Sequence, residues 1–153
     1  MSEIILATDP NWEPKIITMF NVVINPGESK LVYEANNIGL LRYAIMITDS
    51  PDLILDIKFM QKNGVVKEGQ FSARFLAEGG AKGSWSSLAN VLFYDTSGNH
   101  YAIEIRRSLE PFTKASTAYI INPTPNPHTI IEFDSEVWEY KPILYESRLN
   151  YKK

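Results

Sequence analysis

The side chains able to do acid–base chemistry fall into two acidic groups, Asp49, Asp52 and Asp56, and Glu132, Asp134, Glu136 and Glu139. Two carboxylates facing each other across a cleft can cleave a glycosidic bond. The spacing favours a plainer reading. Glu132 and Asp134 alternate with Ile131 and Phe133, as on the wetted face of a strand, and Asp49 and Asp52 flank Pro51 in a turn. Asp49, Asp52 and Asp56 also lack the Gly and the distal Glu of a calcium loop.

Other catalytic sets are missing from the sequence. The two histidines, His100 and His128, lie far apart, so no His-rich metal cage is encoded. With no Cys there is no disulfide, no thiolate nucleophile and no Cys-ligated metal. No Gly-x-Ser-x-Gly elbow occurs. Gly79-Gly80-Ala81-Lys82-Gly83-Ser84 has Lys before Gly, whereas a phosphate-binding loop needs Gly-Lys-Ser/Thr between a strand and a helix. The expectation is a protein without catalytic residues, cofactor or metal.

Three Trp, eight Tyr and seven Phe remain as material for recognition. Trp12 and Trp85 sit in polar segments without strand alternation, Asp9 to Pro14 and Gly83 to Ser87. A Trp in such a place is either an anchor folded onto the domain or a contact for a ligand or partner chain. Trp138 and Tyr140 alternate with Val137 and Glu139, so one face of that strand is a further candidate surface. Trp12, Trp85, Trp138 and Tyr140 are therefore the candidate binding residues, for a partner protein or a glycan.

The elements that must position these residues are strands. Val, Ile, Tyr and Phe come in short blocks bounded by Gly, Pro, Asn, Asp or Ser. The blocks are Lys15–Ile24, Lys30–Ala35, Leu40–Thr48, Leu53–Phe59, Gln70–Ala77, Asn90–Tyr94, His100–Arg106, Thr117–Ile121, Thr129–Phe133 and Val137–Tyr145. In Gln70–Ala77 the alternation favours a strand, while Phe71 and Phe75 also stand one helical turn apart. Asp95-Thr96-Ser97-Gly98-Asn99 reads as a hairpin turn. It places Tyr101, Ile103 and Ile105 on a covered face and Glu104 and Arg106 in water. Asn25-Pro26-Gly27-Glu28 reads as a type II turn joining two antiparallel strands. Asn122-Pro123-Thr124-Pro125-Asn126-Pro127 cannot donate regular ladder hydrogen bonds and must be a stiff loop or an edge.

Without the helical crossovers that parallel strands need, the expected fold is all-β: an antiparallel β-sandwich or jelly roll of about eight to ten strands. The 153 residues suit one domain, at 15–145, with an N-terminal arm at 1–14 and a C-terminal tail at 146–153. Fifteen Lys plus Arg against eighteen Asp plus Glu give a net charge of -3, which argues against a nucleic-acid partner. No apolar run approaches the ~18 residues of a membrane span, and no signal peptide is recognisable, so synthesis in the cytoplasm and no membrane partner are expected.

From Asn25 to Gly64 the order of phrases is the Asn25-Pro26-Gly27-Glu28 turn, a strand, Gly39-Leu40-Leu41 opening a long strand, Ile47-Thr48-Asp49-Ser50-Pro51-Asp52-Leu53, and Lys62-Asn63-Gly64. This arrangement resembles the β-rich virion proteins of tailed phages, of tail, baseplate or head-accessory type. The resemblance implies a non-enzymatic structural role within a virion and carries over no functional residue. It agrees with a homo-oligomer that meets other structural proteins through a sheet edge, loops and terminal arms. The alternative is a carbohydrate-binding sandwich that offers a Trp ring to a sugar face.

Overall fold

The structure is a computed structural model that describes residues 11–78, 89–106 and 111–141. The described residues form nine strands: β1 (Trp12–Ile24), β2 (Ser29–Ala35), β3 (Gly39–Thr48), β4 (Ile54–Met60), β5 (Val66–Phe71), β6 (Ala89–Asp95), β7 (His100–Arg106), β8 (Ala115–Ile121) and β9 (His128–Tyr140). One short helix, α1 (Ala73–Ala77), lies between β5 and β6. The strands form a five-stranded sheet, β1-β9-β3-β7-β6, and a four-stranded sheet, β2-β8-β4-β5, and all pairings are antiparallel. No helix among the described residues is long and apolar enough to cross a membrane.

Leaving out β6, the remaining eight strands have sheet orders first-eighth-third-sixth and second-seventh-fourth-fifth. That is the double Greek key of a jelly roll, which settles the choice left open by the sequence. β6 is an added strand that pairs with β7 as the expected hairpin, with Asp95 opposite His100. The Asp95 carboxylate accepts from the Ser97 and Gly98 amides at 3.1 and 3.0 Å and from the Ser97 hydroxyl at 2.8 Å, and these donors hold its pKa below the ordinary value.

Alternate residues of both sheets fill the space between them. Leu41, Met46, Leu55, Ile57, Ile103, Ile105, Ile120, Phe133 and Val137 are buried there. Tyr33 is buried too, its hydroxyl bonded to Ser116 Oγ at 2.8 Å, and burial pushes its phenol well above the usual range. At one end Phe59 stacks on Phe112 with ring centroids 6.0 Å apart. Phe112 and Gly39 exchange backbone hydrogen bonds of 2.9 and 3.0 Å. A Cβ on residue 39 would strike that ring and the Trp138 carbonyl, so only glycine admits this approach.

Several local expectations need correction. The Asn25–Glu28 turn has the type II signature, with Gly27 at φ 76° and a 3.0 Å bond from Glu28 N to Asn25 O. It does not join paired strands: β1 and β2 lie in different sheets, because the jelly roll sends successive strands to opposite layers. Gln70–Ala77 is divided. Gln70 and Phe71 end β5, then Ser72 caps α1 by accepting from Phe75 N at 3.1 Å, which stops the alternation. The two predicted blocks Thr129–Phe133 and Val137–Tyr145 form one strand through Asp134–Glu136, since Ser135 turns inward while its acidic neighbours face out. Residues 142–145 lie outside the described residues. β1 begins at Trp12, so Trp12, Glu13 and Pro14, assigned to the arm, pair with Tyr140, Glu139 and Trp138. Glu104, expected in water, is only 7% exposed, because β3 and β6 flank it and Arg106 pairs with it at 2.9 Å.

The proline-rich stretch is a loop between β8 and β9, organised by the fully buried Asn122. Its amide donates to the carbonyls of Ile24 (2.9 Å) and Asn126 (2.7 Å), and its oxygen accepts from the Thr124 amide (3.0 Å) and hydroxyl (2.7 Å). Asn122→Ala leaves the Ile24 carbonyl buried and short of a partner. It is expected to lower the unfolding free energy by about 2–3 kcal/mol, read as a lower urea midpoint at unchanged slope.

Candidate functional site

β9 is the strand on which the candidate residues converge. Phe133, Ser135, Val137 and Glu139 point into the sandwich, and Glu132, Asp134, Glu136, Trp138 and Tyr140 point out. On one side β1 sets Trp12 opposite Tyr140, Pro14 opposite Trp138, Ile16 opposite Glu136, Thr18 opposite Asp134 and Phe20 opposite Glu132. On the other side β3 sets Leu40, Tyr43, Ile45 and Ile47 opposite Trp138, Glu136, Asp134 and Glu132. The outer face of the five-stranded sheet therefore has an aromatic end, an acidic column and an apolar border.

Trp12, Trp138 and Tyr140, three of the four residues singled out from sequence, meet at the aromatic end. The Trp12 and Tyr140 rings lie 5.3 Å apart at 56° and all three side chains are half-buried. The Trp138 indole donates to Glu136 Oε2 at 3.3 Å, which orients its ring. Trp85 lies outside the described residues. The two termini of the described sandwich meet beside this cluster, where Lys141 N donates to Asn11 O at 2.7 Å.

The acidic column is held by neighbours rather than aimed at a common point. Arg42 Nε contacts Glu136 Oε2 at 3.2 Å. Asp134 shares a hydrogen bond with Glu132, which raises the Glu132 pKa. Tyr43, beside the column, is also raised, first by burial and then by the charges of Glu136 and Asp134. Arg42, Tyr43, Ile45, Glu104, Arg106, Asp134 and Glu136 line a shallow cleft of about 740 Å³. Glu139 faces the opposite way, near Lys141 (3.5 Å), Asn37 (3.4 Å) and Lys15 (4.0 Å).

The first acidic group is split: Asp49 and Asp52, with His128, border an open pocket of about 670 Å³ beside the proline-rich loop, and Asp56 lies apart from it. Asp49 Oδ1 lies 3.1 Å from His128 Nδ1 and accepts from Thr129 N at 3.0 Å. Asp52 takes a two-pronged contact from Arg74 at 2.6 and 3.1 Å. Asp56 sits buried on β4 beside Gln70, with Oδ1 unpartnered. Among the described residues no three His, Cys, Asp or Glu side chains are placed to hold a metal ion.

Sequence reasoning missed the apolar border. Ile16, Phe20 and Val23 are 62%, 60% and 55% exposed on β1, the edge strand. The available signal was the run Ile16–Ile24, which contains no charged residue, in a strand with apolar side chains on both faces.

No protein-family model matches this chain, and no curated protein matches it. A solved structure, described as "Structure of infectious bursal disease virus Gx strain", aligns over 92% of this chain and 44% of that chain, at 13% identity and a TM-score of 0.21. The chain thus spans less than half the length of that viral protein.

The buried Asp56 generates a pH prediction. Burial is the main cause raising its pKa, with Glu68 adding to it. The folded chain then holds this proton more tightly than the unfolded chain, so the group costs stability above the carboxylate range and stops doing so as the pH falls through it. Asp56→Asn is expected to raise the urea midpoint at pH 7, with the gain shrinking towards about pH 4.

Proposed function

We propose that this chain is a non-enzymatic structural protein that self-associates through its β1 edge, with the segments beyond Asn11 and Lys141 reaching neighbours, as in a virion component. The observation that carries this reading is the pairing of a 13-residue edge strand with exposed Ile16, Phe20 and Val23. An open edge presents unpaired N–H and C=O groups, and natural proteins guard such edges unless something covers them. The jelly-roll architecture suits the role, since capsid domains use it, although lectins and cupins use it too and fold alone does not assign function. The acidic column makes nucleic acid an unsuitable partner for this face.

Ile16→Lys combined with Phe20→Lys changes only exposed side chains and sets like charges along the edge. The pair is expected to weaken self-association at least tenfold in sedimentation velocity without altering the far-UV circular dichroism. A wild-type chain that stays monomeric at the highest attainable concentration defeats the proposal.

A specific observation favours a second reading. Trp12, Trp138 and Tyr140 form a half-exposed aromatic end beside Glu136 and Arg42, and rings next to polar groups suit a sugar. On this reading a glycan quenches or shifts Trp emission and Trp138→Ala abolishes the response. A flat signal across a broad glycan array removes it.

A further inference from the structure

We propose that two copies of this chain pair β1 with β1, antiparallel, about a two-fold axis through Thr18, fusing their five-stranded sheets into one continuous sheet. The inference rests on the self-association reading and specifies its geometry.

Among the described residues each sheet has two outer strands, and three of the four are interrupted or charged. β2 carries Lys30 and Glu34 and a register break between Leu31 and Tyr33. β5 carries Lys67 and Glu68 in mid-strand. β6 breaks register between Val91 and Phe93 and ends on Asp95. Irregularity and charge of this kind discourage strand addition. β1 differs: its charges, Glu13 and Lys15, lie at its N-terminal end, and Lys15 Nζ is turned to the Glu34 carbonyl at 2.6 Å. From Ile16 to Phe20 the strand has neither a charged residue nor a proline.

The backbone determines which atoms this edge offers. Asn11 O accepts from Lys141 N, so odd-numbered β1 residues at this end direct their main-chain groups to β9. The even-numbered residues Pro14, Ile16, Thr18 and Phe20 then direct theirs to the open side. Pro14 fits that assignment, since its missing N–H costs the β1–β9 ladder nothing.

Two features limit where a second β1 can sit. Pro14 offers no donor, and Asn21, at φ 53°, leaves the extended conformation. With the axis through Thr18, the pairs are Ile16 with Phe20, Thr18 with Thr18 and Phe20 with Ile16, each able to exchange two N–H···O bonds. Moving the axis to Ile17 sets Pro14 against Phe20 and loses donors. Moving it to Met19 sets Ile16 against Val22, beyond Asn21.

The side chains agree with this register. On the outer face Ile16 and Phe20, the two most exposed large apolar residues, lie directly across from each other twice. On the inner face Ile17 meets Met19, both already packed against the core, so the two interiors run together. No like charges oppose each other in the paired segment.

The absence of Cys makes the register measurable, because a single introduced thiol has only its symmetry mate to react with. In the full chain, Thr18→Cys treated with a short bis-maleimide is expected to give a covalent dimer, while Lys67→Cys on the β5 edge gives monomer. Thr18→Pro removes a donor from the open side only. It is expected to weaken the dimer at least tenfold in sedimentation velocity, with Thr18→Val keeping wild-type affinity. A self-associating chain whose Thr18→Cys form does not cross-link, or whose Thr18→Pro form is folded and dimerises normally, overturns the register and leaves self-association standing. A wild-type monomer at all concentrations overturns both.

Discussion

The structure depends on β9 being paired along its length on both sides, with β1 and with β3. One 13-residue strand satisfies two ladders, sends Ile130, Phe133, Ser135 and Val137 into the core, and displays its other residues on the outer face. Because successive side chains point to opposite faces, these two outcomes are one geometric fact. Any shift of β9 by a single residue would bury Glu132, Asp134 and Glu136 and expose the core row.

The price of this arrangement falls on the edges. A sandwich with open sheets leaves an outer strand at each end of each layer, with main-chain groups that only water or another chain can satisfy. Three of these strands carry charges or register breaks. The fourth, β1, has its proline and its charges at one end and a plain apolar segment after them. The proposed assembly follows from that asymmetry, and the aromatic end beside it sits where the two ends of the described sandwich meet.

The strand blocks, the Asp95 hairpin and the all-β class were legible because they depend on local chemistry: β-branched and aromatic runs, Gly and Pro punctuation, and alternation between covered and wetted positions. The partnership of Trp12 with Tyr140 was not legible, since it joins residues at opposite ends of the chain. Trp12 looked like part of an arm because Pro14 follows it, and that proline is tolerated only because its nitrogen falls on the unpaired side of β1. Glu104 looked wet because alternation reports which face a residue is on. It does not report what lies on that face, and Arg106 with two flanking strands covers it.

By itself the amino-acid sequence determined most strand segments, β5 (Val66–Phe71) being the exception, together with the turn chemistry and the lack of thiol chemistry, all properties of neighbouring residues. Tertiary structure alone decided the sheet orders, the merging of two blocks into β9 and the choice of β1 as an open edge. These are matters of which distant segments pair, and hydrogen-bond partners and buried faces are assigned only when the chain closes on itself. For the same reason the Asn25–Glu28 turn was recognisable as a turn, while the layer that each of its strands would join was not.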